Sequence, residues 1–334
     1  MQVRRLCHNK DNIGWGVELL RAGKQYGPLV AAVVGLLCLF RLWVPTLLAP
    51  DNLLDLAQQI SVNAIIAFGM TLVILIGGID LSVGALVALV GTTTVFVFTR
   101  APEGAAWVLP AGLAAGLGVA ALFGGFNGFF AAKTKMPPFI ITLATMLVAR
   151  GAALGFNEGR PMAIDESHGV FLALGNGRLF GWLPVPVVVM LVLFAIPAVV
   201  LHFTRFGRHL YGIGGNSEAA RLSGIPLARA TVIVYVVCSL LAGVAGMIHT
   251  SQLYSAEPAS GVGFELNAIA AVVVGGTSFS GGIGAMPGTL IGAVIIGILD
   301  KGLNQAGVHF SLQYVVKGGV ILGAVFLDVI RRRK

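Results

Sequence analysis

Apolar runs long enough to cross a bilayer recur along this chain, and they exclude any fold that does not sit in lipid. A helix needs about 20 predominantly apolar residues to span the hydrocarbon layer. Ten stretches qualify, at about 28–48, 53–76, 81–99, 107–131, 137–156, 184–203, 230–250, 267–281, 286–303 and 311–330. The eighth is short and interrupted by glycine. Charged residues make up only 11% of the sequence and hydrophobic ones 57%, against about 25% charged in an average soluble domain. Lipid offers the backbone no hydrogen-bond partner, so each span must be a helix or part of a closed barrel. The expected fold is therefore an all-α integral membrane protein of about ten transmembrane helices with Gly-interrupted segments. One domain covers residues 28–330, preceded by a segment at 1–27 and followed by a basic tail at 331–334.

Basic residues precede the first run, as they would in a secretory signal. Pro28–Leu48 is too long for a signal core and lacks a small-residue cleavage site, so it reads as a retained span. Lys and Arg favour cytoplasmic loops. With a cytoplasmic N-terminus, the inner segments hold fifteen of them: Arg4, Arg5, Lys10, Arg21, Lys24, Lys133, Lys135, Arg205, Arg208, Arg221, Arg229 and the terminal Arg331–Lys334. Three (Arg100, Arg160 and Arg178) fall outside. An even number of spans returns the basic C-terminus to the cytoplasm, in agreement with the charge distribution. The net charge of +8 sits in short loops and at the ends, with no aromatic-interleaved basic face for nucleic acid. Cys7, Cys38 and Cys238 are too scattered for a disulfide framework, and the six histidines show no metal-ligand spacing.

Within 68–92, FGMTLVILIGGIDLSVGALVALVGT, the apolar run breaks once, at Gly77-Gly78, Asp80 and Ser82. A carboxylate and irregular backbone survive in a membrane only where protein or a water-filled cavity covers them. The break is either a tight interhelical turn, with Asp80 capping the next helix, or part of a pathway. Gly275-Gly276 and Ser280 repeat the glycines and serine of 77–82 at the same offsets. Paired interrupted segments point to a transport pathway; coincidence in a chain with 46 glycines is the competing reading.

Three stretches, GMTLVILIGGIDLSVG, FGRHLYGIGGNSEAARLSGIP at 206–226 and ELNAIAAVVVGGTSFSGGIGAMPGTLIGA at 265–293, resemble the permeases of sugar-importing ATP-binding-cassette transporters of the ribose, galactose and xylose type. The likeness runs from about residue 52 to the C-terminus, with the motifs in family order. It implies a multi-pass permease of the bacterial inner membrane, working by alternating access and performing no bond chemistry. The implied partners are an ATPase subunit, an extracytoplasmic sugar-binding protein, a second permease copy or homologue, and membrane lipid. No cofactor is expected in this chain; ATP and magnesium belong to the ATPase. The segment from Glu265 onward looks closest to ribose-type permeases.

The inner loop 204–229 differs in composition from its surroundings. Asn216 and Ser217 are N-cap types, Glu218 suits the positive end of a helix dipole, and Gly224 with Pro226 stops the turn. By itself this is an ordinary basic loop with a solvated helix. The resemblance makes it the coupling helix that docks on the ATPase, with Gly214, Gly215, Asn216, Ser217, Glu218, Ala219, Ala220, Arg221 and Gly224 as the coupling residues. The chain has no G-x-x-x-x-G-K-[ST] loop for nucleotide phosphates.

Polar residues within spans are few. Asn63 and Thr71 lie near one helical face, with Phe68 close to it. Together with Asp80, Ser82, Asn127, Thr142, Thr145, Asn267 and Ser280 they are the candidates for lining a sugar pathway. Helix–helix hydrogen bonding is the competing role for each. The family usually carries Asp where this chain has Asn267, so a charge is removed there; Glu265 remains as a cap or partner contact. The loop 157–183, with Arg160, Asp165, Glu166 and Arg178, and Glu257 form the expected docking face for the binding protein. The alternative function is an ion- or proton-coupled secondary carrier, which needs carboxylates inside spans; only Asp80 and Asp300 qualify. An intramembrane enzyme would need a nucleophile–base pair or an H-E-x-x-H motif, and neither is present.

Overall fold

The computed structural model describes residues 15–332 except 101, 103 and 104. Arg4, Arg5, Cys7, Lys10, Arg333 and Lys334, part of the two expected end segments, lie outside the described residues.

The chain is mostly helical. In order it forms α1 (Trp15–Trp43), α2 (Pro50–Leu75), α3 (Val83–Arg100), α4 (Val108–Lys133), α5 (Pro138–Gly155), α6 (Gly169–Asn176), α7 (Val185–Phe203), α8 (Arg205–Gly215), α9 (Ser217–Leu222), α10 (Leu227–Gln252), α11 (Phe264–Val274), α12 (Met286–Gln305) and α13 (Phe310–Arg332). Two-residue strands are the only sheet among the described residues: β1 (Met162–Ala163) pairs with β4 (Ser255–Ala256), and β2 (Arg178–Leu179) with β3 (Leu183–Pro184).

Each of the ten apolar runs contains a helix, but eight helices are long and apolar enough to cross a membrane: α2, α3, α4, α5, α7, α10, α12 and the part of α1 from Tyr26. The other two apolar stretches are α11 and Phe310–Gly323 of α13. The eighth expected span, 267–281, is helical only as far as Val274. Its 11 residues rise about 16 Å, roughly half the hydrocarbon thickness. The first helix also starts well before Pro28, which lies inside it. Membrane helices tolerate such a proline because neighbouring groups re-satisfy the freed carbonyl.

Helices α2, α3 and α10 form the centre. In the most apolar part of α2, 83% of residues are buried, against 6% in α1. Small residues let the helices touch. A methyl group added at Gly124 or Gly128 of α4 would meet the Cα of Val236 or Val232 on α10 at 2.7 Å. At Gly112 and Gly116 it would run into Phe98 and Thr94 of α3, and at Gly288 and Gly292 of α12 into the backbone of α11. Without a hydrophobic drive between helices in lipid, this close backbone contact is a main source of association.

One end of the bundle is covered by the segment 157–183. There α6 lies on the end of α10: the Gly175 amide donates to Ser251 Oγ at 2.9 Å, and Ser251 Oγ donates to the Phe171 carbonyl at 2.8 Å. The opposite end carries α8 and α9, where the sequence suggests only one or two helical turns. Four glycines (Gly207, Gly212, Gly214 and Gly215) argue against α8 by propensity. Packing overrides them, because Gly207 and Gly214 press directly on neighbouring backbone.

Candidate functional site

A cavity of about 480 Å³ opens between α2, α10, α11, α12 and α13. Asn63 stands midway along the 26-residue α2, and the cavity extends from there to the end of α10 and the start of α11. Gln59, one turn earlier, shares its face. His249 and Gln252 come from the end of α10, Asn267 from the first turn of α11, Asp300 from α12, and Tyr314 and Lys317 from α13. Phe264 and Ile321 supply apolar wall. The His249 and Phe264 rings meet edge-to-face, 5.2 Å between centroids. Lys317 Nζ lies 2.9 Å from Asp300 Oδ1, so the two charges neutralise one another. Asn63 Oδ1 and Gln252 Nε2 are buried and have no hydrogen-bond partner in the protein. Both side chains belong to the cavity wall, and amides in such a wall are groups that a hydroxylated guest can hydrogen-bond.

Of the sequence candidates, Asn63 and Asn267 reach this cavity. Gln59, His249, Gln252, Asp300, Tyr314 and Lys317 do so as well, and sequence reasoning did not name them for the pathway. Gln59/Asn63 and His249/Gln252, polar pairs spaced four and three apart on helices, carried the signal.

Four other candidates form one buried chain. Ser82 donates to Asp80 Oδ1 from its backbone nitrogen (2.9 Å) and its hydroxyl (2.6 Å). Asn127 Nδ2 donates to Ser82 Oγ at 3.0 Å, and Thr145 Oγ1 donates to Asn127 Oδ1 at 2.8 Å. Thr142 joins from beside it, donating to the Ile79 carbonyl at 3.2 Å. These bonds fasten α4 and α5 to the break between α2 and α3. Asp80 Oδ2 and the Tyr235 hydroxyl, both buried near Gly78, have no hydrogen-bond partner. Thr71 Oγ1 lies 2.8 Å from Thr289 Oγ1 of α12, and Phe68 packs edge-to-face on Phe194 of α7 at 5.5 Å. Ser280 is exposed on the loop between α11 and α12.

The two glycine breaks end their helices in the same way. Gly77 has φ +81° and Gly276 φ +91°. After α2, Gly77 N donates to Ile74 O and Gly78 N to Val73 O, both at 2.9 Å. After α11, Gly276 N donates to Val273 O at 2.9 Å and Thr277 N to Val272 O at 3.1 Å. Both are Schellman endings, in which glycine takes the left-handed position at no steric cost. The structural match therefore pairs Gly77 with Gly276, one residue off the sequence echo, and does not superpose Ser82 on Ser280.

The breaks also touch. Gly282 N donates to the Leu75 carbonyl at 2.8 Å. Gly214, near the end of α8, sits against both groups so closely that a methyl group there would overlap the Leu75 oxygen and the Gly282 nitrogen. Tyr211 Oη donates to the Gly284 carbonyl at 2.8 Å. Next along the chain, Asn216 caps α9, its Oδ1 accepting from Ala219 N at 3.0 Å. Glu218 and Arg221 form an exposed pair at 2.9 Å, Ala220 is buried, and Gly224 (φ +79°) ends the helix. At the other end Glu265 Oε1 accepts from Gly263 N at 3.2 Å, and Arg150 donates to the carbonyls of Pro258 and Ser260 at 2.7 and 2.6 Å. Asp165 is held below the usual carboxylate range by the hydroxyl and amide of Ser167. Among the described residues no group of three His, Cys, Asp or Glu side chains is placed to hold a metal ion.

Residues 52–325 match the family described as branched-chain amino acid transport system / permease component. A ribose import permease protein from Bacillus subtilis (strain 168) is 46% identical over 305 residues, covering 91% of this chain and 92% of the relative. A ribose import permease protein from Escherichia coli (strain K12) is 45% identical, covering 85% and 87%. An L-arabinose transport system permease protein from Escherichia coli (strain K12) is 37% identical, covering 92% and 91%. No solved structure matches the chain. Family and helices together make this a multi-pass protein of the bacterial inner membrane, and the chain belongs to the branched-chain amino acid transport system / permease component family.

Proposed function

We propose that this chain is the membrane-spanning subunit of an ATP-driven, binding-protein-dependent importer of a monosaccharide, ribose first among the choices. The observation that carries the reading is the cavity between the helices, walled by the amides of Gln59, Asn63, Gln252 and Asn267 together with an imidazole and aromatic rings. An amino-acid zwitterion would need a free cation and a free anion in the wall. Asp300 and Lys317 instead hold each other, leaving amides, an imidazole and rings, which suit sugar hydroxyls and C–H faces. The names of the relatives, ribose and L-arabinose, agree with that chemistry.

In this reading the chain spans the membrane about ten times, with both termini cytoplasmic and α11 as a half-span. It works as a pair, and two separate ATPase subunits press on the α9 helices. Gly214, Gly215, Asn216, Ser217, Glu218, Ala219, Ala220, Arg221 and Gly224 form the coupling region. The close contact from Gly214 to Leu75 and Gly282 carries movement of α9 to the end of α2 and to the loop that joins α11 to α12, all three helices being walls of the cavity. Loaded binding protein docks at the α6 end. Direction comes from the different affinities of the two packings for sugar and partners.

The test is labelled-ribose uptake into proteoliposomes holding this chain and its ATPase, with binding protein outside and ATP inside, for wild type and Glu218→Arg. Uptake that needs ATP and binding protein, and falls in the variant, is expected. Uptake without ATP would replace this reading with a secondary carrier.

A further inference from the structure

At the α8–α9 end of the bundle, Lys133 closes α4 and Arg229 opens α10. The glycine contacts of Gly124 and Gly128 with α10 fix the two helices in register, which brings these residues to one groove of about 600 Å³. Its walls are apolar: Phe129 and Ala132 from α4, Leu227, Val232 and Ile233 from α10. Neither cation takes part in an ion pair among the described residues. A second groove, about 620 Å³ and lined by Leu122, Phe123, Phe126, Phe129 and Val148, runs between α4 and α5 toward the middle of the membrane. The two grooves share Phe129.

We propose that these neighbouring grooves bind an anionic phospholipid, with its phosphate between Lys133 and Arg229 and an acyl chain passing Phe129 toward Phe126 and Leu122. Exposed apolar side chains are ordinary on a lipid-facing helix, and single cations are ordinary at inner helix ends; here two cations from different helices flank one apolar groove, and its wall residue Phe129 also lines the next groove. The charge pattern selects a negative headgroup, and the apolar grooves require a tail, which a soluble anion lacks. Cations at the membrane surface each strengthen binding to anionic lipid by about 1 kcal/mol, roughly fivefold. The site is separate from the cavity and from α9, so it stands or falls independently of the importer reading.

The full chain, extracted in mild detergent from vesicles of equal parts phosphatidylglycerol and phosphatidylcholine, is analysed by native mass spectrometry for retained lipid. Wild type is expected to retain phosphatidylglycerol in preference. The double variant Lys133→Gln/Arg229→Gln should lose that preference by roughly tenfold or more. Phe129→Ala should retain less of both lipids with the ratio unchanged, and Lys135→Gln should behave as wild type. Equal retention of the two lipids by wild type, or an unchanged preference in the double variant, would overturn the proposal. So would a photoreactive residue at position 129 that crosslinks to a second copy of the chain or to another protein rather than to lipid.

Discussion

Lys317 Nζ on α13 approaches Asp300 Oδ1 on α12 to 2.9 Å, and both side chains line the cavity. Each is partly solvated, with 22% and 17% of the side chain exposed, so the pair is worth less than a dry one. Removing one partner still leaves a charge in a low-dielectric wall. Asp300→Asn or Lys317→Met alone should cost about 1–2 kcal/mol of stability. The double change should recover most of it, because no charge is left uncompensated. Thermal unfolding of the four proteins in one detergent measures the coupling; additive losses would show that the pair does not interact.

Asn63 and Gln252 are expected to behave in the opposite way. Their unpartnered atoms contribute nothing to the fold, so Asn63→Leu and Gln252→Leu should leave thermal stability unchanged or slightly raised. Sugar uptake should fall about tenfold for each, the loss of one hydrogen bond to a guest in the cavity. The measurement is uptake per folded permease, with ATPase assembly checked in parallel. Uptake at wild-type levels would show that sugar passes elsewhere.

The sequence tells spans from loops because hydropathy over about 20 residues is a strong signal. It also shows where helices stop, since Gly77, Gly224 and Gly276 sit at left-handed positions where other residues are strained. It overextends α11, because the apolar stretch continues past Val274 although the glycines have already ended the helix. It misses α8, because the contacts that make glycine favourable there come from residues as remote as Leu75 and Gly282. The candidate site was half legible. Asn63 and Asn267 stand out as amides within spans, but the same rule selects Asn127 and Thr145, which bond to each other. Only the packing separates a polar group that faces a cavity from one that faces another helix.

That distinction predicts the outcome at Asn127. It bridges Ser82 and Thr145 at 3.0 and 2.8 Å, and interhelical bonds of this kind in membranes average about 0.6 kcal/mol, with a maximum near 1.7. Asn127→Ala breaks two, so unfolding should become easier by about 1–2 kcal/mol. Uptake per folded molecule should change less than it does in Asn63→Leu. A variant of normal stability that transports nothing would move Asn127 from the packing to the pathway.

Gly214 and Gly215 are adjacent, yet they face different surroundings. A side chain at Gly214 would collide with the Leu75 carbonyl and the Gly282 nitrogen, whereas nothing lies within 4 Å of one at Gly215. Neither replacement is opposed by helix propensity, since Ala and Val both favour a helix over glycine, so a loss at Gly214 reports on the contact. Gly214→Val forces α8 away from the end of α2 and the α11–α12 loop, and no rotamer relieves an overlap at Cβ. ATP hydrolysis by the assembled transporter should continue while uptake drops more than tenfold, the signature of lost transmission rather than lost assembly. Gly215→Ala, with open space at its methyl group, should keep both activities far closer to wild type than Gly214→Val does. Measuring hydrolysis and uptake on the same proteoliposomes decides the matter: equal behaviour of the two variants would mean that movement of α9 reaches the cavity by a route that bypasses Leu75 and Gly282.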